Sequence, residues 1–126
     1  MPLVCPECST KGWMKISHSL ELPPDSRSDE ITLQVIKCMR CRFETIAVYE
    51  ESRRGGFGDE HVDHRGYYVS KSDLQMLKKQ IGQCPSPRNA RCKCKVHKKL
   101  GSKDKNGRWD GLADIELGRR FAIQLR

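Results

Sequence analysis

Two Cys-x2-Cys pairs, two apolar runs of period two and one capped helical stripe predict a small α+β fold whose order depends on bound metal. In this fold class a three-stranded antiparallel sheet with one metal site is followed by one helix and a basic module built on a Cys3His set. The composition agrees. Of 126 residues only 37% are hydrophobic and 6% aromatic, too few for a large apolar core, so crosslinks of some kind are expected. Seven cysteines can supply them, and an odd number suits metal ligation better than a set of disulfides. No apolar run approaches the roughly 18 residues of a membrane span. The start, Met1-Pro2-Leu3-Val4-Cys5, lacks the basic and apolar regions of a signal peptide, so a cytoplasmic protein without membrane partners is expected.

The first metal site rests on Cys5-Pro6-Glu7-Cys8 and Cys38-Met39-Arg40-Cys41, separated by residues 9–37. Each pair can bend into a knuckle that offers two thiolates, and two knuckles complete a tetrahedral site at Cys5, Cys8, Cys38 and Cys41. Between them Met14, Ile16, His18, Leu20 and Leu22 alternate with Lys15, Ser17, Ser19 and Glu21, the pattern of a strand with one buried face. His18 falls on that face as an ordinary core or edge histidine, because four thiolates already close the site. Pro23-Pro24-Asp25-Ser26 ends this strand. Ile31, Leu33 and Val35 then alternate with Thr32, Gln34 and Ile36 up to Cys38, and the β-branched and aromatic run from Phe43 to Tyr49 suits a third strand.

In spacing and strand order residues 1–49 resemble the zinc-ribbon superfamily, which implies a zinc ribbon there and leaves function open. Rubredoxins share the gap between the pairs and hold iron in a similar site, but they are acidic and typically place Gly after each second cysteine. This chain has Ser9 and Arg42 there, so zinc is expected. The run Arg27-Ser28-Asp29-Glu30-Ile31-Thr32 resembles the hairpin of transcript-cleavage elongation factors, whose Asp-Glu pair helps hold a catalytic metal. It lacks the Pro that usually follows that pair and is out of step by one residue on each side.

Residues 50–66 show no periodicity and include Arg53-Arg54-Gly55-Gly56-Phe57-Gly58, so a Gly-rich linker or loop is expected between units 1–49 and 67–126. Within it Asp59-Glu60-His61-Val62-Asp63-His64 reads as a solvated acidic turn, with a partial resemblance of Asp63-His64, followed downstream by Cys84 and Cys92, to HNH endonucleases. Ser70-x-x-Asp73, the stripe Leu74, Leu77, Ile81 and the following Gly82 predict a helix from Lys71 to Ile81. Cys84, Cys92, Cys94 and His97 come next. With three cysteines left and one histidine in reach, a second zinc site is expected here, with His61 or His64 as alternatives to His97. Metal would supply the order that Cys84-Pro85-Ser86-Pro87 and the lysine-rich stretch after it cannot. Phe121, Ile123 and Leu125 alternate as a short terminal strand.

Charge is distributed unevenly. Residues 1–49 carry six Lys/Arg and six Asp/Glu, and residues 50–83 again carry six and six. Residues 84–108 hold nine basic residues and one acid, so the formal net charge of +8 lies in this one segment. That concentration points to a polyanionic partner. The expected function is therefore zinc-dependent binding of DNA or RNA in a regulatory or accessory role, with Arg88, Arg91, Lys93, Lys95, Lys98, Lys99, Lys103 and Lys105 meeting phosphates and Trp13, Phe57 or Trp109 meeting bases. The alternative is an adaptor that docks on a larger protein complex through the ribbon. A metal-dependent nuclease or transcript-cleavage factor stands third, and no catalytic residue is assigned.

Overall fold

The alternating segments form β1 (Met14–Leu22), β2 (Glu30–Cys38) and β3 (Glu44–Ser52). The computed structural model, which describes residues 3–52 and 61–123, adds β4 (His61–Tyr67) and β5 (Arg120–Ala122). All five make one antiparallel sheet in the order β1-β2-β3-β4-β5. Two helices, α1 (Lys71–Gly82) and α2 (Lys95–Leu100), complete the fold.

The unbroken alternation along β1 does not give one buried face. A bulge between Ile16 and His18 shifts the register from Ile16 opposite Ile36 to His18 opposite Val35. One extra residue reverses which side of the sheet each later side chain meets. Met14 therefore joins Ile36, Cys38 and Ala47 in one cluster, whereas Leu20 and Leu22 join Ile31, Leu33, Val35, Ile46 and Val48 in another. The sheet is apolar on both faces, and each face serves one cysteine cluster.

The expected linker over 50–66 is in part strand. Residues 50–52 extend β3 and residues 61–66 belong to β4, while Arg53 to Glu60, including the Arg-Gly run and Phe57, lie outside the described residues, as does Leu125. His61 to Gly66 have no apolar alternation, and long-range contacts secure the strand instead. Gly66 is covered by the Phe121 ring, which lies less than 3.0 Å from where a Cβ would stand. The Arg65 guanidinium bonds Glu50 and Asp63, each at 2.6 Å.

α1 begins at its N-cap Ser70, whose hydroxyl accepts from the Asp73 N–H, and runs through Gly82 to a C-cap at Gln83. Its stripe Leu74, Leu77 and Ile81 packs on the Leu20–Leu33–Ile46 face, each side chain contributing about 1.5–3 kcal/mol of burial. The lysine-rich stretch also buries apolar surface, contrary to expectation: Leu100 at the end of α2 enters the same cluster, as do Leu112 and Ile115. That cluster draws on β1, β2, β3, both helices and the segment after α2.

Candidate metal centres and basic face

The two knuckles have matching backbone geometry. Ser9 N–H donates to Cys5 O at 2.9 Å and Arg42 N–H to Cys38 O at 2.9 Å, while Cys5 N–H and Cys38 N–H donate to Thr10 O and Phe43 O. Ser9 and Arg42 adopt left-handed backbone, with φ of 58° and 67°. The conformation that favours Gly after each pair is therefore kept without Gly. Cys5 Sγ lies 3.6 Å from Cys41 Sγ, and Cys8 Sγ 3.7 Å from Cys38 Sγ. A tetrahedral ion with metal–sulfur bonds of about 2.3 Å requires sulfur separations of about 3.8 Å, so four thiolates fit.

The second set also converges. Cys84, Cys92, Cys94 and His97 bring their ligand atoms within 4.8 Å of one another. Cys84 Sγ lies 3.8 Å from Cys92 Sγ and 2.9 Å from His97 Nδ1. His97 is 2% exposed, and its Nε2–H donates to Glu21 O at 2.7 Å while Nδ1 faces the cysteines. Glu21 N–H in turn donates to Pro87 O at 2.8 Å. The Cys3His segment is thus seated on the outer edge of β1. Cys94 caps α2 by accepting the His97 N–H, and that bond brings its thiol down to about 6.

The thiols within each set differ in acidity: hydrogen bonds from Thr10 bring Cys8 down to about 6, as that from His97 does for Cys94. Burial pushes the Cys5 thiol up to about 12 and the Cys84 thiol up to about 11, so both would stay protonated without a positive charge beside them. Among the described residues these are the two groups of Cys, His, Asp or Glu whose ligand atoms converge on one point, and together they can hold two metal ions. A set of four cysteines beside a set of three cysteines and one histidine is compatible with a zinc-ribbon-like arrangement.

His61 and His64 do not join them. Three positions apart on a strand, they point to opposite faces of the sheet. His64 Nε2 meets Gln34 Oε1 at 2.8 Å, and burial lowers its pKa against the opposing effect of Asp63. Asp63 is bonded to Arg65 and Arg120. Asp29, part of the run that resembles the transcript-cleavage hairpin, gives its N–H to Glu51 O where β2 begins beside β3. His18 bonds Ser17 and is half-buried.

Arg88, Arg91, Lys93, Lys95, Lys98, Lys99, Lys103 and Lys105 are all exposed, and none forms an ion pair among the described residues. The ninth basic residue of the segment, Arg108, is different: it pairs with Asp25 at 2.7 Å and Glu50 at 3.5 Å. Sequence reasoning missed Asp25. Its Oδ1 accepts the Arg27 and Ser28 N–H groups, and its Oδ2 accepts the Trp109 N–H and Arg108. Burial opposes ionisation of this carboxyl, but the backbone donors and Arg108 outweigh it and hold its pKa below the ordinary value. The Pro-Pro-Asp-Ser turn signal foreshadows the two local bonds and not the two distant ones.

Comparison with protein-family models, with curated proteins and with solved structures returns no match. No helix among the described residues is long and apolar enough to cross a membrane.

Proposed function

We propose that the chain is a nucleic-acid-binding protein of regulatory or accessory type, in which two zinc ions, one in an N-terminal zinc ribbon, fix a basic face against the sheet. One observation carries this reading: eight basic residues between Arg88 and Lys105 stay exposed and outside any ion pair among the described residues, while the neighbouring Arg108 is consumed inside the fold. Lysines 95, 98 and 99 lie on the outer side of α2, whose inner side carries His97 and Leu100. Seating on β1 gives these charges fixed positions, which suits phosphate binding better than a solvated tail would.

Salt titration of binding to a labelled nucleic-acid probe tests the proposal. Affinity should fall steeply with salt, and replacing Lys95, Lys98 and Lys99 by Ala should reduce the slope by about one unit for each phosphate that is no longer engaged. A control that removes exposed Lys11, Lys71 and Lys79 should change the slope far less. Equal weakening in the two triple variants would reject positioned phosphate binding.

A second reading has its own observation. Trp13 and Met39 are 46% and 55% exposed and are joined by a hydrogen bond from Met39 N–H to Trp13 O at the ribbon end of the sheet. An exposed Trp-Met pair suits a protein partner. Retention of a defined protein at high salt, abolished by Trp13→Ala, would favour the adaptor.

A further inference from the structure

We propose that the slot between Tyr67 and Trp109 receives an unpaired nucleobase, which would make single-stranded nucleic acid the preferred partner. The inference rests on the nucleic-acid reading above and deepens it. The slot has a volume of about 270 Å³ and is lined by Tyr67, Trp109, Leu112, Ala113, Leu117 and Asp110, with Arg65 at its wall. That is below the roughly 300 Å³ at which pockets for larger ligands begin, and it suits a single ring system. Its lining is mainly apolar and aromatic, the surface on which bases stack.

Both rings are held in place before any ligand arrives. The Trp109 indole N–H donates to Leu100 O at 2.6 Å and its backbone N–H to Asp25. The Tyr67 hydroxyl accepts from Arg65 Nε at 2.7 Å, and Arg65 is itself fixed by Glu50 and Asp63. A slot that needs no rearrangement loses little ordering entropy on binding.

Charge sets the orientation of the ligand. Lys103 pairs with Trp109 across an antiparallel bridge, so the two side chains stand on the same side of it. Lys105 follows two residues on, and both lysines are exposed. At the slot Asp110 supplies a local negative charge, since the lining Arg65 is already paired with Glu50 and Asp63. Ser102 donates its hydroxyl to Asp110 Oδ1 at 2.9 Å, and the remaining carboxylate oxygen can accept a hydrogen bond from a base but repels a phosphate. The base therefore enters the slot, and its phosphate lies on Lys103.

Trp109 fluorescence, read in a Trp13→Phe background on the metal-loaded chain, tests this against a mixed-sequence 12-nucleotide single strand and a blunt duplex of the same sequence. The single strand should bind at least tenfold more tightly and quench Trp109. Ala113→Leu, which fills the slot from an exposed position, should abolish the quench and the preference while leaving the thermal melt and the salt-dependent binding in place. Equal affinity for both probes without quenching would overturn the slot and leave the phosphate-binding reading standing. Binding of neither probe would overturn both.

Discussion

Replacing Asp25 by Asn probes the joint between the β1–β2 turn and the basic segment. The substitution keeps Oδ1, and with it the acceptor for Arg27 and Ser28, but puts an amide NH2 where Oδ2 receives Trp109 N–H and Arg108. An orphaned buried N–H costs about 1–3 kcal/mol. The Arg108 side chain is 34% exposed and keeps Glu50, so loss of its partner is discounted to about 1 kcal/mol. A destabilisation of about 3 kcal/mol is expected at pH 7, read as a lower urea midpoint at unchanged m-value on the metal-loaded protein. The sign of the pH dependence follows from the depressed carboxyl. A carboxyl whose pKa is lower in the folded state contributes fully above its unfolded value, near 4, and loses that contribution only as pH falls through the folded value. The difference between wild type and variant should therefore be the same at about pH 5.5 and about pH 7.5. A loss below about 1 kcal/mol, or a gap that narrows between those two pH values, would refute this account of the carboxylate.

Two further predictions concern metal and packing. Elemental analysis should find two zinc ions per chain, and chelation should unfold the protein; one equivalent, an iron chromophore, or a melt indifferent to chelator would contradict this. Gly66→Ala should destabilise by about 1–3 kcal/mol, because its Cβ would stand less than 3.0 Å from three atoms of the Phe121 ring, and Phe121→Ala in the same chain should recover part of that loss. A double mutant no better than the sum of the singles would show that the ring is not the obstacle.

Sequence reading reaches the parts of this fold whose information is local. Cysteine spacing identifies two four-ligand sets that converge in space, and α1 lies where its cap and stripe place it. β4 is not legible, because its residues are polar and its place in the sheet depends on Phe121 and Glu50, far away in the chain. The β1 bulge is hidden for another reason: the apolar period of two continues through it, so nothing in the pattern marks the change of face. α2 is only six residues long and takes its cap from a cysteine, a residue that ordinary capping preference does not flag. Gly after each cysteine pair is a poor guide here, since Ser9 and Arg42 adopt the same left-handed turn at some cost in strain.

The seating of His97 and Pro87 on Glu21 has a bearing on solubility. β1 is the first strand of the sheet, and an uncovered edge with free N–H and C=O groups is a template for another chain. Near Leu20 and Leu22 that template is occupied by the Cys3His segment, which bonds both backbone groups of Glu21. Farther along, the bulge and Lys15 interrupt it. The Cys3His segment thus acts as a guard on the sheet; if a metal held there orders it, removing that metal should free a strand end flanked by two leucines, and the chain is then expected to self-associate.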